Sequence, residues 1–162
     1  MRSLYLVLFI ALAVACQNEQ ETNPLAGSYS LIEWKGITEH GEVVYPYGQK
    51  ATGQLIYLED GSMSMQLEGD DRPELGTDDY STLDSLTILK AYQTYFSYYG
   101  TYALDNETGI VTHVIEGCKH PDWKGRKLQR KFQIEGEQLI IRSDSVIGMD
   151  HVLTWRRSSN SE

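Results

Sequence analysis

The chain has 162 residues, 41% of them hydrophobic and 23% charged, which is enough for one domain with a real core and gives no sign of disorder in its bulk. Its formal net charge of −9 makes nucleic acid and anionic lipid surfaces poor partners. Its eleven tyrosines combine apolar rings with polar tips, which suits the walls and rims of cavities.

Residues 1–16 have the pattern of an export signal. Arg2 precedes an apolar run over residues 4–14, which is too short to span a bilayer permanently but typical of a secretory signal. The sequence AVAC at residues 13–16 resembles a bacterial lipobox, although the commonest form has leucine in its first position. This resemblance implies cleavage before Cys16 and its diacylation, which anchors the protein in the bacterial cell envelope, at the outer membrane in a Gram-negative cell. The alternative is an ordinary cleaved signal with an incidental cysteine.

The rest of the chain divides into a tether, a domain and a tail. Residues 16–24 are polar and acidic and predict a tether, residues 25–157 the folded domain, and residues 158–162 a polar tail. Loss of residues 1–15 removes one arginine and no acid, so the formal net charge changes from −9 to −10. With Cys16 acylated, Cys118 is the only thiol left, so we predict no intramolecular disulfide and interpret Cys118 as a buried small hydrophobe.

The first half of the domain predicts three strands. A strand over residues 25–38 is followed by a loop or irregular edge segment over residues 41–53, which contains one proline and several glycines. Asp60-Gly61 then separates two alternating apolar runs, which predicts a hairpin over residues 54–67. In its second arm the alternation directs three apolar side chains to the core: Met63, Met65 and Leu67.

An acidic stretch and a helix are predicted next. Residues 68–84 hold seven acids without the spacing of an EF-hand, so we interpret them as a solvated loop. Residues 81–99 predict a helix with Ser81 or Thr82 as its N-cap, an apolar stripe for core contact, and Gly100 as its stop.

The second half of the domain predicts five more strands, separated by glycine turns, at residues 101–105, 110–116, 127–135, 138–142 and 151–156. Short antiparallel strands with short connections are typical of a closed meander. We therefore predict an all-β fold: an eight-stranded antiparallel barrel with one helix inserted between strands 3 and 4. A barrel of this size encloses either one small ligand or a packed interior.

Several segments resemble the bacterial lipocalin-like domain family: LAGSYSLIEW, VVYPYG, DGSMS, and a longer segment in which THVIEG is followed by PDWKG and then by an arginine. The similarity covers nearly all of residues 25–156 and implies a lipocalin-type β-barrel. It implies no settled activity, since this fold hosts carriers and occasional enzymes. The opening Gly-x-Trp of true lipocalins is replaced by Gly27-Ser28-Tyr29, so the link to extracellular carriers is distant.

Arg130 is the first candidate site residue. In residues 127–134 the alternation places Arg130 on the face of Leu128 and Phe132, which we expect to be dry. A guanidinium cannot be neutralised there, so it needs a carboxylate, carbonyl groups or an anionic ligand. Two interpretations stay open: a buried ion pair that closes one end of the barrel, or an anchor for an anionic ligand.

Glu116 and His113 lie on opposite faces of the neighbouring predicted strand. If Glu116 points inward it can neutralise Arg130, and if His113 does it enters the cavity; both cannot point inward without a bulge. His113 is interpreted as a hydrogen-bonded core histidine or, alternatively, as a general base. The spacing of His113, His120 and His151 does not match that of a zinc site, so no metal is predicted. No cofactor is predicted either.

Six aromatic residues are candidates for the wall of a cavity: Trp34, Tyr57, Tyr99, Tyr102, Trp123 and Trp155. The leading hypothesis is a lipid-anchored barrel that binds a small, partly apolar ligand, with Arg130 as the anchor if that ligand is anionic. One alternative is an isomerase or cyclase in which His113 or a tyrosine moves a proton. Another is a filled barrel that serves as an envelope interaction module. The sequence indicates no oligomeric state.

Overall fold

The computed structural model describes residues 23–146 and 148–158 of the chain. The predicted signal peptide, Cys16 with most of the tether, and residues 159–162 of the tail lie outside the described residues. Nine strands and one α-helix are described: β1 Gly27–Thr38, β2 Val43–Val44, β3 Thr52–Tyr57, β4 Ser62–Glu68, α1 Ser85–Gln93, β5 Tyr95–Asp105, β6 Ile110–Cys118, β7 Lys127–Glu135, β8 Gln138–Val146 and β9 Met149–Arg157.

The strands form one antiparallel sheet that closes on itself. Each of β3 to β8 pairs with the next strand in the chain, and β1 pairs with both β3 and β9. The predicted closed eight-stranded barrel is therefore confirmed, with β2 added as a short edge strand on the end of β1. Closure leaves the eight barrel strands without an unpaired edge, which removes a surface on which another chain could add a strand.

The predicted hairpin is confirmed and fixes the inward face of β4. Gly61 has a φ of 86°, and the backbone amide of Leu58 donates to the carbonyl of Ser62 across the turn. The three apolar side chains of β4 that we expected in the core are buried there: Met63, Met65 and Leu67. The alternation of the strand therefore sets the inward face directly, as expected for a sheet with one wet side.

The helix is shorter than predicted and lies elsewhere in the order of elements. It lies after β4 and before β5, and not between the third and fourth strands, because Val43–Val44 forms an additional strand. Its N-cap is Asp84, whose carboxylate accepts hydrogen bonds from the amides of Leu86 and Thr87, so the predicted cap at Ser81 or Thr82 is wrong. Among the described residues, no helix is long and apolar enough to cross a membrane.

The apolar stripe of α1 does not make the predicted core contact. Leu86 is 77% exposed and Leu89 and Tyr92 are each 48% exposed, while Ala91 is the only residue of the helix that is buried. Residues 95–99, predicted as the end of the helix, instead begin β5 and pair with β4. The helix is therefore an external connection beside one end of the barrel.

The barrel has a closed end that the N-terminal segment seals. Leu25 is fully buried there, and the hydroxyl of Tyr29 donates to the Leu25 carbonyl oxygen at 2.9 Å. Arg157, at the end of β9, donates to the carbonyl oxygens of Pro24 and Ala26. Pro24, which belongs to the predicted tether, is thus bonded to the barrel. The carbonyl oxygens of Pro24 and Ala26 accept hydrogen bonds from the Arg157 guanidinium, which would otherwise be desolvated without partners.

Candidate functional site

A cavity of about 340 Å³ opens at the other end of the barrel. This end carries the connections that contain β2, α1, the 3-10 turn Pro121–Trp123 and the β8–β9 turn. The cavity walls are mainly apolar and aromatic, with a few polar groups: Trp34, Pro46, Tyr47, Met65, Leu67, Phe96, Tyr98, His113, Lys119, His120, Trp123, Arg130, Ile141, Ser143, Met149, His151, Leu153 and Trp155. An apolar wall with few polar groups is typical of small-molecule sites. A void of this size contradicts a completely filled barrel.

The half of the barrel next to the closed end is filled by packed side chains, which limits the depth of the cavity. Tyr57 contacts Tyr102, with ring centroids 4.6 Å apart, and Tyr29, with centroids 6.4 Å apart. Tyr102 donates its hydroxyl hydrogen to the carbonyl oxygen of Leu58 at the closed end. Tyr57 and Tyr102, both predicted as cavity walls, therefore belong to the packed core beneath the cavity.

Arg130 points into the barrel, as the alternation of β7 predicts. It pairs across the ladder with the buried Val111 of β6, and its side chain is half-buried at the cavity wall. Its one side-chain hydrogen bond among the described residues goes to the carbonyl oxygen of Gln129 at 3.0 Å, and none of the ion pairs of those residues involves it. The guanidinium therefore keeps donors free for a group in the cavity.

Glu116 does not neutralise Arg130. In β6 the side chains of Val111, His113 and Ile115 are buried, while Glu116 is exposed on the outside of the barrel. Of the two alternatives for this strand, the one with His113 inside is therefore observed, and the alternative in which Glu116 points inward and neutralises Arg130 is not. The reason is the two-residue period of a strand, which puts Glu116 on the opposite face from His113 unless a bulge intervenes between them.

His113 is held between two tyrosines. Its Nε2 lies 2.7 Å from the hydroxyl of Tyr57, and its Nδ1 lies 2.8 Å from the hydroxyl of Tyr98. Burial, and to a lesser degree the charge of Arg130, lowers the pKa of His113 to about 3. Burial also raises the pKa of Tyr98 to about 12. At neutral pH the three groups are therefore uncharged and bonded to one another, which leaves neither ring nitrogen open to act as a general base.

The mouth of the cavity carries a second aromatic group. Trp34 stacks on Tyr47, with ring centroids 4.4 Å apart, and its indole N–H donates to Nδ1 of His151 at 3.0 Å. On the opposite wall Trp123 meets Phe96 edge to face, with centroids 5.5 Å apart. Trp34 and Trp123 thus lie where the sequence predicts them, at the cavity wall. They narrow its entrance from two sides.

Tyr99 lies outside the barrel. It is 57% exposed, and its ring covers Gly117 on the neighbouring strand, where a Cβ atom would stand 2.3 Å from the ring. Trp155 does reach the cavity wall, although its side chain is fully buried. Its indole nitrogen is the one buried side-chain polar atom without a hydrogen-bond partner in the part of the chain that the structure describes.

Sequence reasoning missed several residues of the wall, of which Tyr98 and Tyr47 matter most. The helix predicted over residues 81–99 includes Tyr98, but in strand β5 Tyr98 shares the inward face with Phe96 and Tyr102. Tyr47 lies in a segment predicted as a loop, where no periodicity indicates a direction. Across the described ranges 23–146 and 148–158, no group of three or more His, Cys, Asp or Glu side chains is placed to hold a metal ion.

One family model and several solved structures are similar to this chain. A family model described as a lipocalin-like domain matches residues 26–158. Similar solved structures include a fatty-acid-binding protein from Echinococcus granulosus, with 16% identity, a TM-score of 0.40 and coverage of 83% of this chain and 97% of that one. A biogenic amine-binding protein has 12% identity and a TM-score of 0.43, over 85% and 66%. A redesigned β-barrel has 13% identity and a TM-score of 0.42, over 83% and 92%. No curated protein sequence matches the chain.

Proposed function

Because this chain belongs to the lipocalin-like domain family, which its match over residues 26–158 shows, we propose that it binds a small, partly apolar ligand with an acidic group inside its barrel. The observation that carries this proposal is the guanidinium of Arg130 at the wall of a largely apolar cavity, where no carboxylate of the described residues pairs with it. A cation in such a place favours a ligand that brings the opposite charge.

The size of the cavity limits the ligand. A volume of about 340 Å³ is at the lower end of the range for small-molecule sites. The aromatic rings of Trp34, Tyr47 and Trp123 at its mouth favour a ligand with a flat or aliphatic body. A ligand with one acidic end and an apolar body of two fused rings or a short chain matches both the volume and the distribution of polar groups.

The test compares two probes of nearly equal shape. The probe 1-anilinonaphthalene-8-sulfonate carries a negative charge, and N-phenyl-1-naphthylamine is the same ring system without it. In the wild-type protein both probes fluoresce on entering the cavity. In Arg130→Ala the affinity for the anionic probe falls by about tenfold or more while that for the neutral probe changes little, because only the first loses a charge-assisted hydrogen bond.

Arg142→Ala is the matched control, since Arg142 lies on the adjacent strand β8 with an exposed side chain. It keeps wild-type affinity for both probes. Equal losses for the two probes in Arg130→Ala, or an equal effect of Arg142→Ala, would remove the role of Arg130 as an anchor. Failure of both probes to bind the wild-type protein would overturn the proposed cavity function itself.

We further propose that the protein is a lipoprotein, attached to a membrane of the cell envelope through acyl chains on Cys16. The support is the apolar run over residues 4–14 followed directly by a lipobox-like AVAC. Expression in a bacterium with an alkyne-labelled fatty acid tests this. The wild-type protein takes up the label and sediments with membranes, and Cys16→Ser does neither. Labelling of Cys16→Ser, or release of the wild-type protein in soluble form, would contradict the proposal.

A further inference from the structure

The three groups Tyr57, His113 and Tyr98 form a chain of hydrogen bonds whose direction the structure determines. A neutral imidazole has one N–H donor and one nitrogen acceptor. Since each ring nitrogen of His113 faces a tyrosine hydroxyl, one tyrosine donates to the ring and the other accepts from it. The direction depends on which tyrosine can place its own hydrogen elsewhere.

Tyr57 has nowhere else to donate. It is fully buried in the packed half of the barrel and does not line the cavity. Among the described residues, His113 is the only hydrogen-bond partner of its hydroxyl. If Tyr57 accepted from His113, its own hydrogen would remain buried without an acceptor, and an unsatisfied buried donor costs the full desolvation penalty of that group. Tyr57 therefore donates to Nε2.

The position of the remaining hydrogens follows. With Nε2 as acceptor, the imidazole proton is on Nδ1 and is donated to the oxygen of Tyr98. The hydroxyl hydrogen of Tyr98 is then directed away from His113. Tyr98 lines the cavity, and the described residues offer its hydroxyl no other acceptor, so the cavity is where this hydrogen finds one.

Arg130 lies on the far side of His113 from Tyr98. The strands follow the order β5, β6, β7, so the imidazole on β6 stands between the tyrosine on β5 and the guanidinium on β7. The charge of Arg130 acts on both groups: it contributes to the low pKa of His113 and opposes the rise in the pKa of Tyr98 that burial causes. Tyr98 and Arg130 thus line the cavity on either side of His113.

We propose that the chain from Tyr57 through His113 makes the Tyr98 hydroxyl a fixed hydrogen-bond donor to the ligand, and that Tyr98 and Arg130 together select an oxyanion such as a carboxylate or sulfonate. This inference rests on the proposed function, because it names the second residue that recognises the ligand's acidic group. A ligand whose polar end only donates, such as an ammonium group, meets two donors and is rejected.

The first test needs no ligand. Long-range ¹H–¹⁵N correlation spectra of the ligand-free protein at neutral pH report which nitrogen of His113 carries the proton. We expect a neutral ring protonated on Nδ1. Protonation on Nε2 would overturn the direction of the chain and with it the assignment of Tyr98 as the donor.

The second test compares Tyr98→Phe with Tyr57→Phe, each of which removes one hydroxyl next to His113. Tyr98→Phe lowers the affinity for 1-anilinonaphthalene-8-sulfonate about tenfold and leaves N-phenyl-1-naphthylamine binding unchanged, because it removes a donor to a charged acceptor. Tyr57→Phe lowers the affinity for the anionic probe by less, about twofold to threefold, because Nε2 loses the donor that fixes the tautomer while the Tyr98 hydroxyl itself remains. Circular dichroism of both variants confirms that they are folded.

Equal losses in the two variants, or a loss in Tyr98→Phe that does not distinguish the two probes, would overturn the role of Tyr98 while leaving the cavity as a binding site. The absence of probe binding to the wild-type protein would instead overturn the proposed function and ligand recognition by Tyr98 together. The tautomer of His113 would then still show whether the hydrogen-bond chain runs in the direction inferred.

Discussion

The guanidinium of Arg157 donates a hydrogen bond to the carbonyl oxygen of Pro24, 133 residues earlier in the chain, at 2.7 Å. The same side chain lies over the ring of Tyr29, 4.8 Å from its centroid. One residue of the last strand therefore holds the segment that seals the closed end. This bond joins parts of the chain that are far apart in sequence. Its contribution to stability can be tested by replacing the side chain of Arg157 alone.

We expect Arg157→Ala to lower the free energy of unfolding by about 2 kcal/mol, because it removes hydrogen bonds to two carbonyl groups and a cation–π contact. Arg156→Ala is the matched control, since Arg156 is adjacent and exposed, and we expect it to change stability by less than about 0.5 kcal/mol. Urea unfolding followed by tryptophan fluorescence measures both. Similar values for the two variants would show that the seal contributes little.

The buried His113 makes stability depend on pH. Burial, and then the charge of Arg130, lowers its pKa from 6.5 to about 3 in the folded protein. Between these values the unfolded chain binds more protons than the folded one, so stability falls as pH falls. We expect His113 to account for about 2 kcal/mol of the stability lost between pH 7 and pH 5.

Urea unfolding of His113→Gln at the two pH values tests this, because that variant loses the histidine component of the pH dependence. His40→Gln is the control: His40 is exposed on a loop, and its replacement keeps the wild-type dependence. An independent measurement is the NMR titration of the wild-type ring, which we expect to show no protonation of His113 above pH 4. A ring that titrates near pH 6 would contradict the burial argument.

Gly100 is required by a close approach of two backbones at the irregularity between β5 and β6. A Cβ atom there would lie 2.0 Å from the carbonyl oxygen of Val114, which cannot move without breaking the ladder. At Gly117 the obstructing group is the exposed ring of Tyr99, which can turn into solvent. We expect Gly100→Ala to cost about 2 kcal/mol or more and Gly117→Ala under about 1 kcal/mol, measured by urea unfolding. The reverse order would refute this account.

The stack of Tyr47 on Trp34 narrows the mouth of the cavity. A bound naphthalene probe leaves past this stack, and a stacked pair of this kind is worth up to about 1.5 kcal/mol. Tyr47→Ala should therefore raise the dissociation rate of the probe between about twofold and tenfold. Stopped-flow fluorescence measures the rate. Tyr45→Ala is the control, since Tyr45 lies in the same loop and outside the cavity, with its hydroxyl on Glu33. A rate unchanged in Tyr47→Ala would place the ligand's route elsewhere.

Alternation was the most informative signal in the sequence. It placed Met63, Met65 and Leu67 inside the barrel and directed Arg130 to the same side, because a half-wet strand has one possible inward face. It failed for strand β6, where both faces carry apolar residues. There only the pairing of β6 with its neighbours decides that His113 points inward and Glu116 outward.

The helix shows the limit of local patterns. The spacing of apolar residues over 81–99 fits a helix, yet the aromatic residues from Tyr95 onward also favour a strand. Pairing of residues 95–101 with β4 decides in favour of the strand and ends the helix at Gln93. Tyr98 was missed for this reason, and with it the hydrogen-bond chain through His113. The two hydrogen bonds of His113 join residues that are separated by 15 and by 56 positions in the sequence, and a local pattern carries no information about such contacts.

The segment from Asn23 to Ala26 joins the barrel at the end opposite the cavity mouth. Residues ahead of Asn23 therefore connect to the barrel at its closed end, away from the cavity mouth. With the acyl anchor on Cys16 that we propose, the closed end would be the tethered end of the domain, and a ligand would reach the cavity from the end remote from the point of attachment.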